Sequence, residues 1–173
     1  MRRTFLVAAA IAALLAGCAA LAPRIQGTTE TLAWQATDLS LERGTSGWRY
    51  TFNLLIREVR GTDITFNEIE TIIYQPGLNP YFARYRGEWR LNAKDQFRIP
   101  LLAGITCHQV IANCTGSNVP VPLWRITMAG TDSQGSPVKA VIDVTLPADP
   151  PSPPQASSKD VRAIALTPPR GGN

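Results

Sequence analysis

The sequence predicts an all-β fold, an antiparallel β-sandwich of about seven strands, and three observations carry the prediction. Trp48, Tyr50, Phe52, Leu54 and Ile56 alternate with Arg49, Thr51, Asn53 and Arg57, the period of a strand with one apolar and one wet face. Turn chemistry recurs along the chain at intervals of roughly 8 to 15 residues, the spacing of short antiparallel strands. After the first 17 residues no stretch carries the 3.6-residue apolar period of an amphipathic helix.

Each element follows in order. Leu32, Trp34 and Ala36 alternate and continue through Leu39 and Leu41, a first strand. Gly44-Thr45-Ser46-Gly47 turns the chain into residues 48–59, the clearest strand and the one expected at the centre of a sheet. Gly61-Thr62-Asp63 reverses it into Ile64, Phe66, Ile69, Thr71 and Ile73, where the apolar phase slips between Phe66 and Ile69 and predicts a β-bulge near Asn67 and Glu68. Pro76-Gly77 ends that strand. Tyr81, Ala83 and Tyr85 alternate weakly before Trp89 and Leu91, and Phe97, Ile99 and Leu101 form a short strand whose Pro100 argues for an edge or a strand end. Trp124, Ile126 and Met128 and then Val138, Ala140, Ile142, Val144 and Leu146 flank the turn Asp132-Ser133-Gln134-Gly135 and read as a hairpin. In outline the series resembles immunoglobulin and fibronectin sandwiches, although the pair Cys107 and Cys114 is too close in sequence to bridge two sheets. A lipocalin-like barrel is the second architecture considered, and it ordinarily wants eight strands in even succession.

Upstream of the strands, Arg2 and Arg3 precede a continuous apolar run from Phe5 to Ala16, and small residues then lead to Cys18. The run is short of the roughly 20 apolar residues a spanning helix needs, and its anatomy is that of a signal segment. Leu15-Ala16-Gly17-Cys18 resembles the processing box of bacterial lipoproteins at every position. The resemblance implies cleavage between Gly17 and Cys18, a diacylglycerol on the Cys18 thiol and an acyl chain on its freed amine. It also implies the outer membrane, facing the periplasm, because Ala19 stands where an inner-membrane retention signal has aspartate. Arg2-Arg3-Thr4-Phe5-Leu6 resembles part of a twin-arginine export signal, a minority route here. Several acyl chains at about 0.8 kcal/mol per buried CH₂ hold a protein durably at a bilayer. The membrane is therefore the first expected partner.

The expected organisation is a signal peptide at 1–17, a lipidated tether at 18–27, the β-sandwich at 28–147 and a Pro-rich, disordered tail at 148–173. Residues 147–173 hold seven of the fourteen prolines, the composition of an extended segment. Its apolar island Val161-Arg162-Ala163-Ile164-Ala165-Leu166 is suited to adding a strand to a sheet edge, of this sandwich or of a partner. The run Pro150-Pro151-Ser152-Pro153-Pro154 reads as a solvated spacer ahead of a docking ligand.

Charge gives no case for nucleic acid. The 17 basic and 13 acidic residues fall to 15 and 13 once Arg2 and Arg3 are removed, so the precursor pI of about 9.3 overstates the basicity of the mature chain. With Cys18 lipidated, Cys107 and Cys114 are left as a pair, and in an oxidising compartment they are expected to form a local disulfide.

Catalytic and cofactor motifs are missing from the sequence: there is no HExxH, GxSxG, P-loop or GxGxxG. His108 is the only histidine and reads as a loop residue. Glu58, Asp63, Glu68 and Glu70 gather around one hairpin; held about 5 to 10 Å apart, two carboxylates can hydrolyse glycosides, but the same pattern describes a wet strand face. The surface that stands out is Tyr81, Phe82, Arg84, Tyr85, Arg86, Trp89 and Arg90. Guanidinium groups interleaved with aromatics suit an anionic polymer, a sugar or a protein partner, while the plainer reading has the arginines shielding an edge strand and the aromatics filling the core. The expectation is a non-enzymatic envelope module, without metal or cofactor, that binds or braces a periplasmic protein or polymer. A small ligand carrier or hydrolase is the alternative.

Overall fold

Alternating side chains along the chain are realised as eight strands. The computed structural model describes residues 23–44, 47–74, 79–106, 122–147 and 160–166. Within them run β1 (Gln26–Thr28), β2 (Leu32–Gly44), β3 (Gly47–Glu58), β4 (Ile64–Tyr74), β5 (Tyr81–Leu91), β6 (Gln96–Thr106), β7 (Leu123–Asp132) and β8 (Pro137–Thr145). They pair antiparallel into two four-stranded sheets, ordered β1-β2-β3-β6 and β5-β4-β7-β8. This is a β-sandwich and not a single closed barrel. β2 to β8 are the seven expected strands, and β1 is an addition. Among the described residues no helix is long and apolar enough to cross a membrane.

The alternation of β3 explains its place. Trp48, Tyr50, Phe52, Leu54 and Ile56 are all buried, while Arg49 and Arg57 stay exposed. The strand lies between β2 and β6. Facing it across the core is Trp124 of β7, fully buried, with Phe52 and Tyr50 edge-on to its indole at centroid distances of 5.0 and 6.0 Å. Edge-to-face contact suits the ring quadrupoles and adds to the burial of three large apolar surfaces. Pro100 sits on β6, an edge strand, where its missing N–H removes no inner ladder bond.

Two bulges re-phase the strands. The pairing of β4 with β7 slips between Phe66 and Glu68, so Asn67 is the extra residue that the sequence places there. Its partner strand accommodates the kink with Gly130, where a Cβ would lie 2.0 Å from the Thr65 carbonyl oxygen. The second bulge lies in β2, between Thr37 and Ser40, where Asp38 and Leu39 together face one residue of β3. Asp38 takes φ 52°, a left-handed conformation that a short polar side chain tolerates.

Segments outside the main strands straddle both open sides of the sandwich. On one side Arg24 exchanges backbone bonds with Thr145 of β8, 2.7 and 3.1 Å, while the Ile25 carbonyl accepts the Ala36 N–H of β2. On the other, Ala163 bridges Arg98 of β6 in parallel, and the buried Ile164 joins the core with Leu166 packed against it. Two expectations change accordingly. Arg24 to Gly27 belong to the sandwich and not to a spacer, because β1 satisfies the backbone of β2. Residues 160–166 are likewise bound to the sheet and not part of a disordered tail. Cys18, Cys107, Cys114 and His108 lie outside the described residues.

Candidate functional site

β5 is the outer strand of its sheet, and its alternation sorts the aromatic and arginine cluster onto two faces. Tyr85 and Trp89 turn inward and pack against the core. Burial pushes the Tyr85 phenol above its usual pKa, opposed by a hydrogen bond with the Thr71 side chain. Phe82, Arg84, Arg86 and Arg90 face outward and are exposed, as is Tyr81 at the start of the strand. The structure therefore brings Phe82, Arg84 and Arg86 together as one row and separates Tyr85 and Trp89 from them.

That row is electrostatically matched to β4. Arg84 stands opposite Glu70 and Arg86 opposite Glu68. Arg84 Nε donates to Glu70 Oε1 at 2.8 Å, its Nη2 bonds the same oxygen, and Arg86 Nε reaches Glu68 Oε2 at 3.4 Å. The Glu70 bond and the neighbouring glutamates raise the Arg84 pKa further above its ordinary value. Arg90 pairs with Glu88 at 2.6 Å. Each outward arginine of β5 thus carries its own counter-charge, which leaves Phe82 and Tyr81, more than half exposed at 52% and 59%, as the apolar feature of the strand. Arg84 also lies over the Phe82 ring at 5.6 Å.

Glu58, Asp63, Glu68 and Glu70 do not surround a hairpin as the sequence suggests: β3 and β4 belong to different sheets, so the turn between them crosses the sandwich, and the four carboxylates serve separate partners. Glu58 is fully buried and accepts the backbone N–H groups of Arg60, Gly61 and Lys94 at 2.6, 2.7 and 2.9 Å. Burial pushes its pKa up, but bonds from Lys94, Gly61, Arg60 and Thr62 together outweigh burial and hold the group below its ordinary value. Asp63 accepts the Ala93 N–H at 2.7 Å. Glu58 and Asp63 therefore tie the β3–β4 turn to the β5–β6 turn, while Glu68 and Glu70 are the counter-charges of β5. Among the described residues no group of three or more His, Cys, Asp or Glu is placed to hold a metal ion.

Sequence reasoning missed a depression of about 520 Å³ on the outer face of the other sheet. Cross-strand pairing builds it in two rows: Gln26, Gln35 and Leu55 in one, Thr28, Ala33, Arg57 and Gln96 in the next. The short Ala33 side chain leaves space between the longer side chains around it. Gly27 lies against the Trp34 indole beneath, 2.9 Å from where its Cβ would stand. Each strand alone showed only a mixed row of polar and aliphatic residues at its outward positions; their convergence depends on the register between three strands and on β1.

No family model matches the chain, and no curated protein matches it. Solved structures do. The X-ray structure of a Northeast Structural Genomics Consortium target, SoR45, aligns with a TM-score of 0.49 at 9% identity, covering 76% of this chain and 98% of that one. The crystal structure of a candidate ApaA protein from Bordetella pertussis gives 0.42 at 14% identity over 64% of this chain and 95% of that one. The solution structure of a candidate late embryogenesis abundant protein, At2g46140.1, gives 0.37 at 15% identity over 82% and 86%. The fold described above rests on the strand pairing of this chain itself.

Proposed function

We infer that this chain is a lipid-anchored envelope protein whose β-sandwich binds or braces another periplasmic component without catalysing a reaction. The observation that carries the reading is the run Leu15-Ala16-Gly17-Cys18 after a basic and apolar leader, the pattern that places a lipid on the cysteine. The occupancy of the carboxylates supports a non-catalytic role: Glu58, Asp63, Glu68, Glu70 and Asp143 each hold a turn or a neighbouring arginine. The exposed edge of β5 supports a binding role, because an outer strand with protruding Tyr81 and Phe82 offers backbone groups and an apolar anchor to an extended partner segment.

Photocrosslinking in intact cells tests the reading. A benzophenone amino acid at Phe82 is expected to give a discrete crosslinked species in the membrane fraction, and the same probe at Val59, exposed at the start of the β3–β4 turn, is expected not to. Equal labelling from both positions, or none from Phe82, would count against β5 as the partner surface.

A further inference from the structure

We propose that the depression on the β1-β2-β3-β6 sheet is a binding site for the free carboxylate end of a peptide, with Arg57 holding the carboxylate and the amides of Gln26, Gln35 and Gln96 bonding the adjoining peptide groups. The site lies on the sheet opposite to β5 and depends on neither the lipid nor the β5 edge.

Arg57 is set apart by what the other arginines with described side chains do. Arg49, Arg60, Arg84, Arg86, Arg90 and Arg125 each lie within 4 Å of a glutamate or aspartate. Arg98 donates to Asn53 Oδ1 and the Val161 carbonyl, and Arg162 to the Arg90 carbonyl. Arg24 lies over the Trp34 ring at 5.7 Å. Among the described side chains no carboxylate pairs with Arg57, which stands exposed between Ala33 and Gln96 in its row. No carboxylate lines the depression it borders. A guanidinium there presents its planar fork of donors, a shape that matches a carboxylate bidentately.

The chemistry around Arg57 selects among anions. Gln26, Gln35 and Gln96 are exposed, and a primary amide both donates and accepts, as a peptide group does. Leu55 and Ala33 give the floor a small apolar area suited to a short aliphatic side chain. A sugar ring would want an aromatic platform, yet Trp34, the aromatic residue at the depression, is only 4% exposed. A single cationic group with amides on both sides fits one carboxylate and its neighbouring peptide bonds better than a polyanion.

The test titrates the full chain in detergent micelles with N-acetyl-trialanine, with its C-terminal amide and with sodium acetate, following amide chemical shifts. Saturable shifts at Gln26, Gln35, Arg57 and Gln96 are expected with the free-acid peptide. The amide and the Arg57→Gln variant should bind about tenfold more weakly or worse, the loss expected for a charge-assisted bidentate contact. Ala33→Trp, which fills the depression from an outward position, should abolish the shifts while leaving the rest of the spectrum in place. Shifts scattered over the molecule, equal binding of acid and amide, or unchanged binding by Arg57→Gln would overturn the proposal. Acetate binding as tightly as the peptide would overturn the peptide assignment. None of these outcomes touches the Phe82 crosslink or the state of Cys18.

Discussion

Glu58 is a fully buried carboxylate held by backbone N–H groups from two different turns, and it fixes one end of the sandwich. Its folded pKa lies below the ordinary value of 4.5. The stability it contributes is therefore complete above about pH 4.5 and is lost as the pH falls through the depressed folded value. Asp143 acts in the same direction, lowered by its bond with Arg125 against the opposing effect of burial. Glu58→Gln removes the charge and turns a donor toward N–H groups, so denaturant titration should show a loss of about 1–3 kcal/mol at neutral pH and a flatter fall in stability between pH 6 and pH 3. An acid limb as steep as that of the unaltered protein would show that Glu58 is not its source. Gly130 is a second residue on which local geometry turns. Its missing Cβ leaves room for the Thr65 carbonyl at the Asn67 bulge, and backbone cannot yield as a flexible side chain can. Gly130→Ala is expected to cost about 2–3 kcal/mol by overpacking, measured as a lower denaturation midpoint. A change near zero would mean the bulge relaxes freely.

Elements differ in how much of them could be read from the chain. β3, β7 and β8 were legible because each carries its own period-two pattern over five alternating apolar positions or a clear hairpin turn, and burial then follows from the pattern. The bulge at Asn67 was legible from the three-residue step between Phe66 and Ile69. The same step separates Ala36 from Leu39, and the bulge at Asp38 stands there, so the signal existed and was read as a continuous strand. β1 had no such signal: Gln26-Gly27-Thr28 is too short to show a period, and its identity as a strand comes from pairing with Ala33 to Gln35. The depression beside it was hidden for the same reason. The apolar island at 161–166 was recognisable as a strand-like addition, but the edge it adds to was not, because that depends on where β6 ends the sheet. Arg98 holds this segment by three contacts: its N–H donates to the Arg162 carbonyl, its carbonyl accepts the Ile164 N–H, and its Nε donates to the Val161 carbonyl, all at 3.0 Å. Ile164→Asp should release it, since a carboxylate cannot stay buried there without a partner. Hydrogen exchange should then show faster exchange of the Arg98 N–H with β3 amides such as Leu54 still protected. Unchanged protection at Arg98 would show that Ile164 does not hold the segment.

For the whole molecule, closure of the sandwich is shared between its ends in sequence. Arg24 to Thr28 straddle the side formed by β2 and β8, and residues 160–166 straddle the side at β6. The outer faces are left for other work: one has compensated arginines beside Phe82, the other an uncompensated Arg57 among amides. Neither face lies inside an enclosed cleft of paired carboxylates, and both are open enough to receive an extended partner. The proposed processing box Leu15-Ala16-Gly17-Cys18 is local in sequence, needs no fold to be read and lies outside the described residues; lipidation there would give the surfaces their setting. If Cys18 is acylated, only four residues, Ala19 to Ala22, stand between the lipid-bearing cysteine and Pro23, at most ~18 Å of extended chain from one Cα to the other, and the sandwich must work close to the bilayer. The most direct test is the mass of the mature N-terminal peptide isolated from membranes. The account predicts a chain beginning at Cys18, with a diacylglycerol on the thiol and an acyl group on the amine. A terminus that retains Met1 and the leader, or a Cys18 with a free thiol, would contradict it.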